Sequence, residues 1–249
     1  MQAFEQTLGR LQSVVVDTVP DNRPAELAVV LCHGFGAGGT DLVGLATEFC
    51  QLAPSLVGRT RFVFPAAPLA LDEVGMPGAR AWWHLDLEAL NQAIEQGEFR
   101  DQRLSTPDGL EQAREQLGEL VTDIKDQWQL DSGQLVLGGF SQGSMIATDV
   151  ALCMPEAPAA LCIWSGTLLC QDTWQERAKQ RGPLRVFQSH GRNDPLLPFE
   201  AAQWLRDLLV ESGLDVDFLE FSGEHTIPMA AVEKVAILLG ETLGETLAN

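Results

Sequence analysis

The chain has 249 residues, with 35 acidic and 16 basic side chains and a net charge of −19. This charge argues against binding to nucleic acid or to anionic membranes, because both attract Lys and Arg and repel acidic surfaces. The contents of 45% hydrophobic and 20% charged residues indicate a folded chain, and the length fits one α/β domain over residues 1–249.

Short apolar runs alternate with helical patterns along the chain. The predicted strands are Ser13–Val19, Leu27–Cys32, Arg61–Phe64, Gln134–Leu137, Ala160–Trp164, Leu184–Gln188 and Val216–Phe221. Apolar stripes at helical spacing mark Gly109–Trp128, Glu200–Ser212 and Ala230–Leu243. Strands that alternate with helices form βαβ units, so the pattern predicts an α/β fold with a mostly parallel central sheet flanked by helices.

The segment Leu71–Pro107 departs from this alternation. It contains the pair Trp82–Trp83 and then an acid-rich helical stretch over Asp86–Arg100, with no β-run. We expect an excursion that forms a cover or a substrate wall, since long irregular connections are often functional. The alternative is a crossover helix joined by an irregular loop.

Five cysteines occur without a C-x-x-C pair: Cys32, Cys50, Cys153, Cys162 and Cys170. Several lie in apolar runs, so we expect buried, reduced thiols rather than a disulfide, and no metal site. The first residues lack a secretory signal, and the apolar segments are too short to span a bilayer. The sequence therefore predicts a cytoplasmic protein.

The pentapeptide Gly139–Gly143 matches G-x-S-x-G and has Ser141 at its centre. It lies between the strand Gln134–Leu137 and a helix predicted over Ser144–Leu152, which is the strand–turn–helix context of a nucleophile elbow. Such a turn exposes the hydroxyl at the carboxyl end of a central strand. The alternative is an ordinary Gly-rich loop between a strand and a helix.

A serine hydroxyl needs a base to become a nucleophile. Of the four histidines, His225 follows the strand Val216–Phe221 at the same sheet edge as Ser141. Asp194 follows another strand and lies between them in the sequence, so the chain order Ser141, Asp194, His225 fits a triad. His33 and His190 are expected to shape loops, whereas His84 could face substrate or solvent.

The stretch Cys32–Gly39 follows the strand Leu27–Cys32 and is rich in glycine. Its backbone amides could turn toward a developing oxyanion, with Phe35 and Gln142 as the two N–H donors. A phosphate-binding role is not favoured, because no Lys-Ser or Lys-Thr pair follows the glycines.

These motifs together resemble the carboxylesterase/phospholipase branch of the α/β-hydrolases, which includes acyl-protein thioesterases and lysophospholipases. The matching stretches, from about residue 27 to residue 229, are LCHGFGAGG, FVFPAAP, RAWWHLD, LGGFSQG, WSGTL, SHGRNDPLLPFEAA and GEHTIP. The resemblance implies the three-layer α/β-hydrolase fold and cofactor-free hydrolysis of carboxylic esters or thioesters. It also implies Ser141 as nucleophile, His225 as base, Asp194 as its partner, and Phe35 and Gln142 as oxyanion donors.

Three features depart from the family pattern. Ser144 stands where the family often has a further glycine, Trp83–Asp86 replaces a more usual Trp-Phe-Asp, and residues 84–106 are longer and more acidic. The departures leave the triad intact and bear on the substrate.

A small neutral ester is the expected substrate, which makes the chain a carboxylesterase that acts through an acyl-enzyme. A lysophospholipase or an acyl-protein thioesterase is the alternative within the enzyme class, and a non-catalytic binding protein is the alternative outside it. The expected acyl wall consists of Leu69, Leu71, Met76, Trp82 and Trp83, although core packing explains either tryptophan as well. We expect a monomer or a homodimer that needs neither cofactor nor metal.

Overall fold

The computed structural model describes residues 1–20, 23–86, 88, 92 and 101–244. Its strands are β1 (Gln2–Leu8), β2 (Leu11–Asp17), β3 (Leu27–Cys32), β4 (Thr60–Pro65), β5 (Leu69–Ala70), β6 (Arg80–Ala81), β7 (Leu135–Phe140), β8 (Ala160–Trp164), β9 (Arg185–Gly191) and β10 (Asp215–Phe221). Its helices are α1 (Leu45–Leu52), α2 (Leu110–Trp128), α3 (Gln142–Cys153), α4 (Gln171–Arg181), α5 (Phe199–Glu211) and α6 (Met229–Thr242).

The main sheet has the strand order β1-β2-β4-β3-β7-β8-β9-β10. From β4 to β10 every neighbouring pair is parallel, whereas β1 pairs with β2, and β2 with β4, in antiparallel fashion. The predicted α/β class with a mostly parallel sheet is confirmed. Because β3, β7, β9 and β10 run in the same direction, the loops that follow them meet at one edge of the sheet.

Helices cover both faces of the sheet, which gives the three layers. In β3, Leu27, Val29 and Leu31 pack on the side of α1 and α6, and the alternating residues pack on the side of the other four described helices. All six residues of β3 are buried, as expected of a parallel strand between two helical layers. No described helix is both long and apolar enough to cross a membrane.

Helix α3, which follows the predicted nucleophile, is held at a fully buried carboxylate. Asp149 is 0% exposed, and one of its oxygens accepts hydrogen bonds from Trp174 Nε1 at 2.8 Å and Arg177 Nη1 at 3.1 Å. The other oxygen accepts from Arg114 of α2. A buried charge needs such partners, so this cluster ties α3 to its two neighbouring helices.

The excursion opens with a small hairpin, so the expectation of no β-run in Leu71–Pro107 is wrong. Strand β5 pairs with β6, and Arg80 exchanges backbone hydrogen bonds with Gly36 and Ala37 in the loop after β3, at 2.9 and 3.0 Å. The hairpin is therefore fixed against that loop. The acidic stretch Asp86–Arg100 lies mostly outside the described residues.

All five cysteines are free thiols, as predicted. Cys32, Cys162 and Cys170 are buried and Cys50 is partly buried, but Cys153 is exposed at the end of α3, so the prediction of burial is wrong there. Burial raises the pKa of Cys162 to about 12, which keeps that thiol protonated.

Candidate active site

Ser141 occupies a strained turn between β7 and α3. Its backbone has φ 55° and ψ −124°, a conformation that side-chain-bearing residues rarely adopt. The turn is held by the Ser141 N–H, which donates to the carbonyl of Trp164 at 2.9 Å, and by the Ser141 carbonyl, which accepts from the hydroxyl of Ser144 at 2.7 Å. Ser144, the departure from the family pattern, thus supplies an extra hydrogen bond to the turn.

The two outer glycines of the elbow are required by close packing. A Cβ atom on Gly139 would lie 2.5 Å from the carbonyl oxygen of Cys32, and one on Gly143 would overlap the carbonyl oxygens of Cys32 and His33. Neither glycine has a positive φ. The elbow therefore lies directly against the end of β3, where no side chain would fit.

His225 and Asp194 form a close pair at the same sheet edge. Nδ1 of His225 lies 2.6 Å from Oδ2 of Asp194. Because an ionised carboxylate only accepts, Nδ1 donates the proton, and Nε2 keeps a lone pair that can act as a base. The imidazole is 12% exposed and packs on the ring of Phe140, the residue before Ser141, with ring centroids 4.7 Å apart.

Asp194 is held as a carboxylate by a full set of donors. Its Oδ1 accepts from the backbone N–H groups of Leu196 and Leu197, both at 2.9 Å. Burial raises the pKa of Asp194, but hydrogen bonds from His190 and His225, together with the charge of His225, lower it more. The net result is a pKa well below the ordinary value, so this group is ionised at neutral pH.

The loop after β3 lies beside the nucleophile. A Cβ atom on Gly34 would lie 3.3 Å from Cβ of Ser141, and Phe35 is the next residue. His33 fixes the loop, since its Nδ1 donates to the carbonyl of Gly34 at 2.8 Å and its Nε2 accepts from the N–H of Ala67 at 3.0 Å. Burial lowers the pKa of His33, although its bond to Gly34 opposes that shift, so it remains neutral and shapes the loop.

Gln142 has a side-chain role that the sequence did not indicate. It is the first residue of α3, where backbone N–H groups lack intrahelical acceptors. Its side chain is buried and bridges the excursion, because Oε1 accepts from the N–H of Trp82 at 2.8 Å and Nε2 donates to the carbonyl of Trp83 at 2.9 Å. The elbow and the excursion are therefore joined through one amide.

The residues of the predicted acyl wall separate into two groups. Leu69 and Met76 are partly exposed and pack, with Phe35, around a small cluster that contains buried Leu71. Trp82 and Trp83 are each 1% exposed and belong to the main core. Both tryptophans therefore pack in the core, and the expectation that they line the acyl wall is wrong.

The two remaining histidines differ in exposure. His84 is exposed. His190 is fully buried, and its Nε2 lies 2.8 Å from the carbonyl of Leu197 and 3.3 Å from Oδ2 of Asp194. His190 thus shapes the loop as expected, but it also reaches the carboxylate. A spacing of four residues between His190 and Asp194 is the only sign of this contact in the sequence.

The chain is similar to known esterases and thioesterases over most of its length. The family model described as Phospholipase/Carboxylesterase matches residues 15–242. Acyl-protein thioesterase 1 of Mycosarcoma maydis is 28% identical over 228 residues, which cover 88% of each chain. Acyl-protein thioesterase 1 of Saccharomyces cerevisiae is 26% identical over 215 residues, 83% of this chain and 88% of that protein.

Solved structures agree with this similarity. The crystal structure of esterase PE8 superimposes with a TM-score of 0.78 and 27% identity, covering 93% of this chain and 99% of that one. A carboxylesterase from Mesorhizobium loti superimposes with a TM-score of 0.69 and 14% identity over 95% of this chain and 98% of that one, a likeness of fold alone.

Proposed function

Because the chain belongs to the phospholipase/carboxylesterase family of carboxylic ester hydrolases, we propose that it cleaves esters with a Ser141–His225–Asp194 triad through an acyl-enzyme. The observation that carries this proposal is the 2.6 Å bond from His225 to the buried Asp194, with the imidazole packed beside the strained turn of Ser141. The fold supports the proposal, since Ser141, Asp194 and His225 follow β7, β9 and β10, parallel strands whose carboxyl ends lie at one edge of the sheet.

In the proposed reaction, Nε2 of His225 takes the hydroxyl proton of Ser141 as Oγ attacks the carbonyl carbon of the ester. Asp194 orients the imidazole and stabilises its protonated form. His225 then gives the proton to the leaving alcohol, and the acyl group stays on Ser141. A water molecule repeats the sequence, and the carboxylic acid leaves.

The negative oxygen of the tetrahedral intermediate would be bound by the backbone N–H groups of Phe35 and Gln142. Support comes from their positions, since Phe35 follows Gly34, where an added Cβ atom would lie 3.3 Å from Cβ of Ser141, and Gln142 begins α3. A helix N-terminus favours negative charge, and each such donor contributes about 100-fold to 1,000-fold in rate.

The proposed substrate is a small neutral ester with an apolar acyl group. Partly exposed Leu69 and Met76, packed with Phe35 over buried Leu71, offer the acyl group an apolar wall beside the proposed oxyanion hole. The net charge of −19 disfavours polyanionic thioesters. The free cysteines support a reducing compartment, the cytoplasm, as the place of this activity.

A thioesterase is the second candidate, because the curated relatives named above are acyl-protein thioesterases. The same triad would cleave a thioester, with a thiol as the leaving group. Matched oxygen esters and thioesters of one acyl chain separate the two activities by their ratio of kcat/KM.

The test is to replace Ser141 by alanine and to measure hydrolysis of p-nitrophenyl esters from acetyl to palmitoyl. We expect Ser141→Ala to lose at least about 1,000-fold in kcat with unchanged folding. Ser212→Ala, at the end of α5, is the matched control and should keep full activity. A fluorophosphonate should label Ser141 in the wild type. An unlabelled wild type, or an active Ser141→Ala variant, would contradict the proposed triad.

A further inference from the structure

His190 is a buried titratable residue that the proposed reaction does not use. It lies near the carboxyl end of β9, four residues before Asp194, and is 0% exposed. Its ring packs against Phe199 of α5, with ring centroids 6.2 Å apart and the planes at 53°. The ring is therefore enclosed by the sheet, α5 and the loop that carries Asp194.

The partners of the ring define its tautomer. Nε2 faces the carbonyl oxygen of Leu197 at 2.8 Å, and a carbonyl oxygen only accepts, so Nε2 carries a proton. The same N–H lies 3.3 Å from Oδ2 of Asp194. Nδ1 has no hydrogen-bond partner among the residues that the structure describes. The ring thus has one N–H that bonds the Leu197 carbonyl and lies within ion-pair distance of the carboxylate, and on its other side a nitrogen without a partner.

Packing alone does not explain a histidine here. A buried nitrogen without a partner costs free energy that a leucine of similar volume would not cost. The benefit must therefore come from Nε2, which is the atom that joins the Leu197 carbonyl to the carboxylate of Asp194.

We propose that His190 is a positioning residue that holds the Asp194 carboxylate in its orientation toward His225, an inference that rests on the proposed triad. Oδ2 is then shared by two imidazoles, with Nδ1 of His225 at 2.6 Å and Nε2 of His190 at 3.3 Å. Oδ1 is fixed by backbone amides of the same loop, and the carbonyl of Leu197 returns to His190. The loop, the carboxylate and the histidine form a closed set of polar contacts that resists rotation of the carboxylate.

Loss of His190 has two consequences for catalysis. The carboxylate becomes freer to rotate away from His225, which lowers kcat without removing a contact to substrate. The carbonyl of Leu197 also loses its donor, which loosens the loop whose backbone N–H groups bind Oδ1 of Asp194. The titratable groups beside the ring are Asp194 and, across it, His225, while Arg192 of the same loop pairs with Glu220 of β10.

The test compares two variants. His190→Leu removes the donor, and we expect kcat to fall about 10-fold to 100-fold, as for loss of one hydrogen bond to a charged group, with KM within about twofold. His190→Gln keeps a side-chain N–H near the position of Nε2 and should remain within about threefold of the wild type. Ser212→Ala, at the end of α5, is the control and should change neither kcat nor KM.

The inference is overturned if folded His190→Leu keeps the wild-type kcat, or if His190→Gln is as impaired as His190→Leu. If His190→Leu does not fold, nitrogen NMR of the wild-type histidines decides, since we expect a neutral Nε2–H ring whose Nε2 shift changes in Asp194→Asn. An Nδ1–H ring would overturn the inference. Fluorophosphonate labelling of wild-type Ser141 separates this outcome from failure of the proposed triad, because a labelled enzyme retains its nucleophile whatever His190 does.

Discussion

A Cβ atom on Gly143 would overlap the carbonyl oxygen of Cys32. Gly143 is the second residue of α3, and Cys32 is the last residue of β3. The helix that follows the proposed nucleophile therefore starts in direct backbone contact with the strand that leads to the proposed oxyanion loop. The absence of a side chain at Gly143 allows the start of α3 to lie this close to the end of β3.

Gly143→Ala should disrupt this contact. The added methyl group has only backbone atoms to displace, so we expect a loss of about 1–3 kcal/mol in the free energy of unfolding. Activity should fall about 100-fold or more, since displacement of a catalytic group by about an ångström has that effect. Urea unfolding and ester hydrolysis measure the two quantities.

The matched control is Gly118→Ala in α2, where an added Cβ would meet no atom within 4 Å. Alanine is the better helix former, so this variant should gain up to about 1 kcal/mol and keep full activity. Equal effects of the two substitutions would contradict the role given to the contact between Gly143 and Cys32.

The strands that the sequence predicts best are the buried ones. Leu27–Cys32 and Ala160–Trp164 are predicted to the residue, because both are continuous apolar runs covered on two faces. Strand β1 was missed, since it is an edge strand of mostly exposed side chains that pairs only with β2. Helix α4 was missed as well, because only Trp174 and Ala178 of its eleven residues are buried, too few for a visible stripe.

The sequence also predicts some residues of the candidate site and not others. Asp194 and His225 could be placed at strand ends from motifs, and the structure brings them within 2.6 Å. The side-chain roles of Gln142 and His190 could not be predicted, because their partners include backbone atoms whose positions depend on how distant segments fold. For Trp82 and Trp83 the sequence predicts a substrate wall, whereas the structure has them in the core. An aromatic pair in an irregular segment gives no sign of whether it faces substrate or core.

Gln142→Met should uncouple the elbow from the excursion. Methionine has a similar volume but leaves the N–H of Trp82 and the carbonyl of Trp83 buried without their partner, at about 1–3 kcal/mol for each. We expect a lower melting temperature and a lower kcat, because the proposed oxyanion amide belongs to the same residue.

Gln116→Met provides the comparison for Gln142. Gln116 is also buried, but its Oε1 has no hydrogen-bond partner in the part of the chain that the structure describes. Methionine there removes an unsatisfied polar atom, so the stability should be unchanged or higher. A Gln142→Met variant as stable and active as Gln116→Met would show that the bridge to the excursion contributes nothing.

Met76→Trp should shorten the acyl chain that the enzyme accepts. Met76 is partly exposed, and its Cε would lie 3.2 Å from a Cβ atom on Gly36, beside the proposed oxyanion loop. A larger ring fills the wall, so kcat/KM for an octanoyl ester should fall about tenfold relative to an acetyl ester.

Val74→Trp is the control for chain length. Val74 lies on the same turn but is 62% exposed, so a ring there should point to solvent and leave the preference unchanged. An identical chain-length profile for wild type and Met76→Trp would remove Met76 from the wall.

The lowered pKa of Asp194 predicts a stability difference that depends on pH. A carboxyl group whose pKa is lower in the folded state than in the unfolded chain, where it is about 3.9, stabilises the fold at higher pH. That contribution is complete above the unfolded pKa and is lost as the pH falls below about 4 toward the folded pKa. Asp194→Asn removes it, so the wild type should exceed Asp194→Asn in unfolding free energy at pH 7, and the gap should narrow below pH 4. Urea titrations at pH 7, 5, 4 and 3 measure this difference in unfolding free energy.

Asp101→Asn is the matched control, because a hydrogen bond from Arg103 also lowers the pKa of Asp101 but that carboxylate is exposed and screened by solvent. The difference in unfolding free energy between the wild type and Asp101→Asn should be small at every pH and should decrease with added salt. A difference for Asp194→Asn that stayed constant down to pH 3 would contradict the stabilised carboxylate.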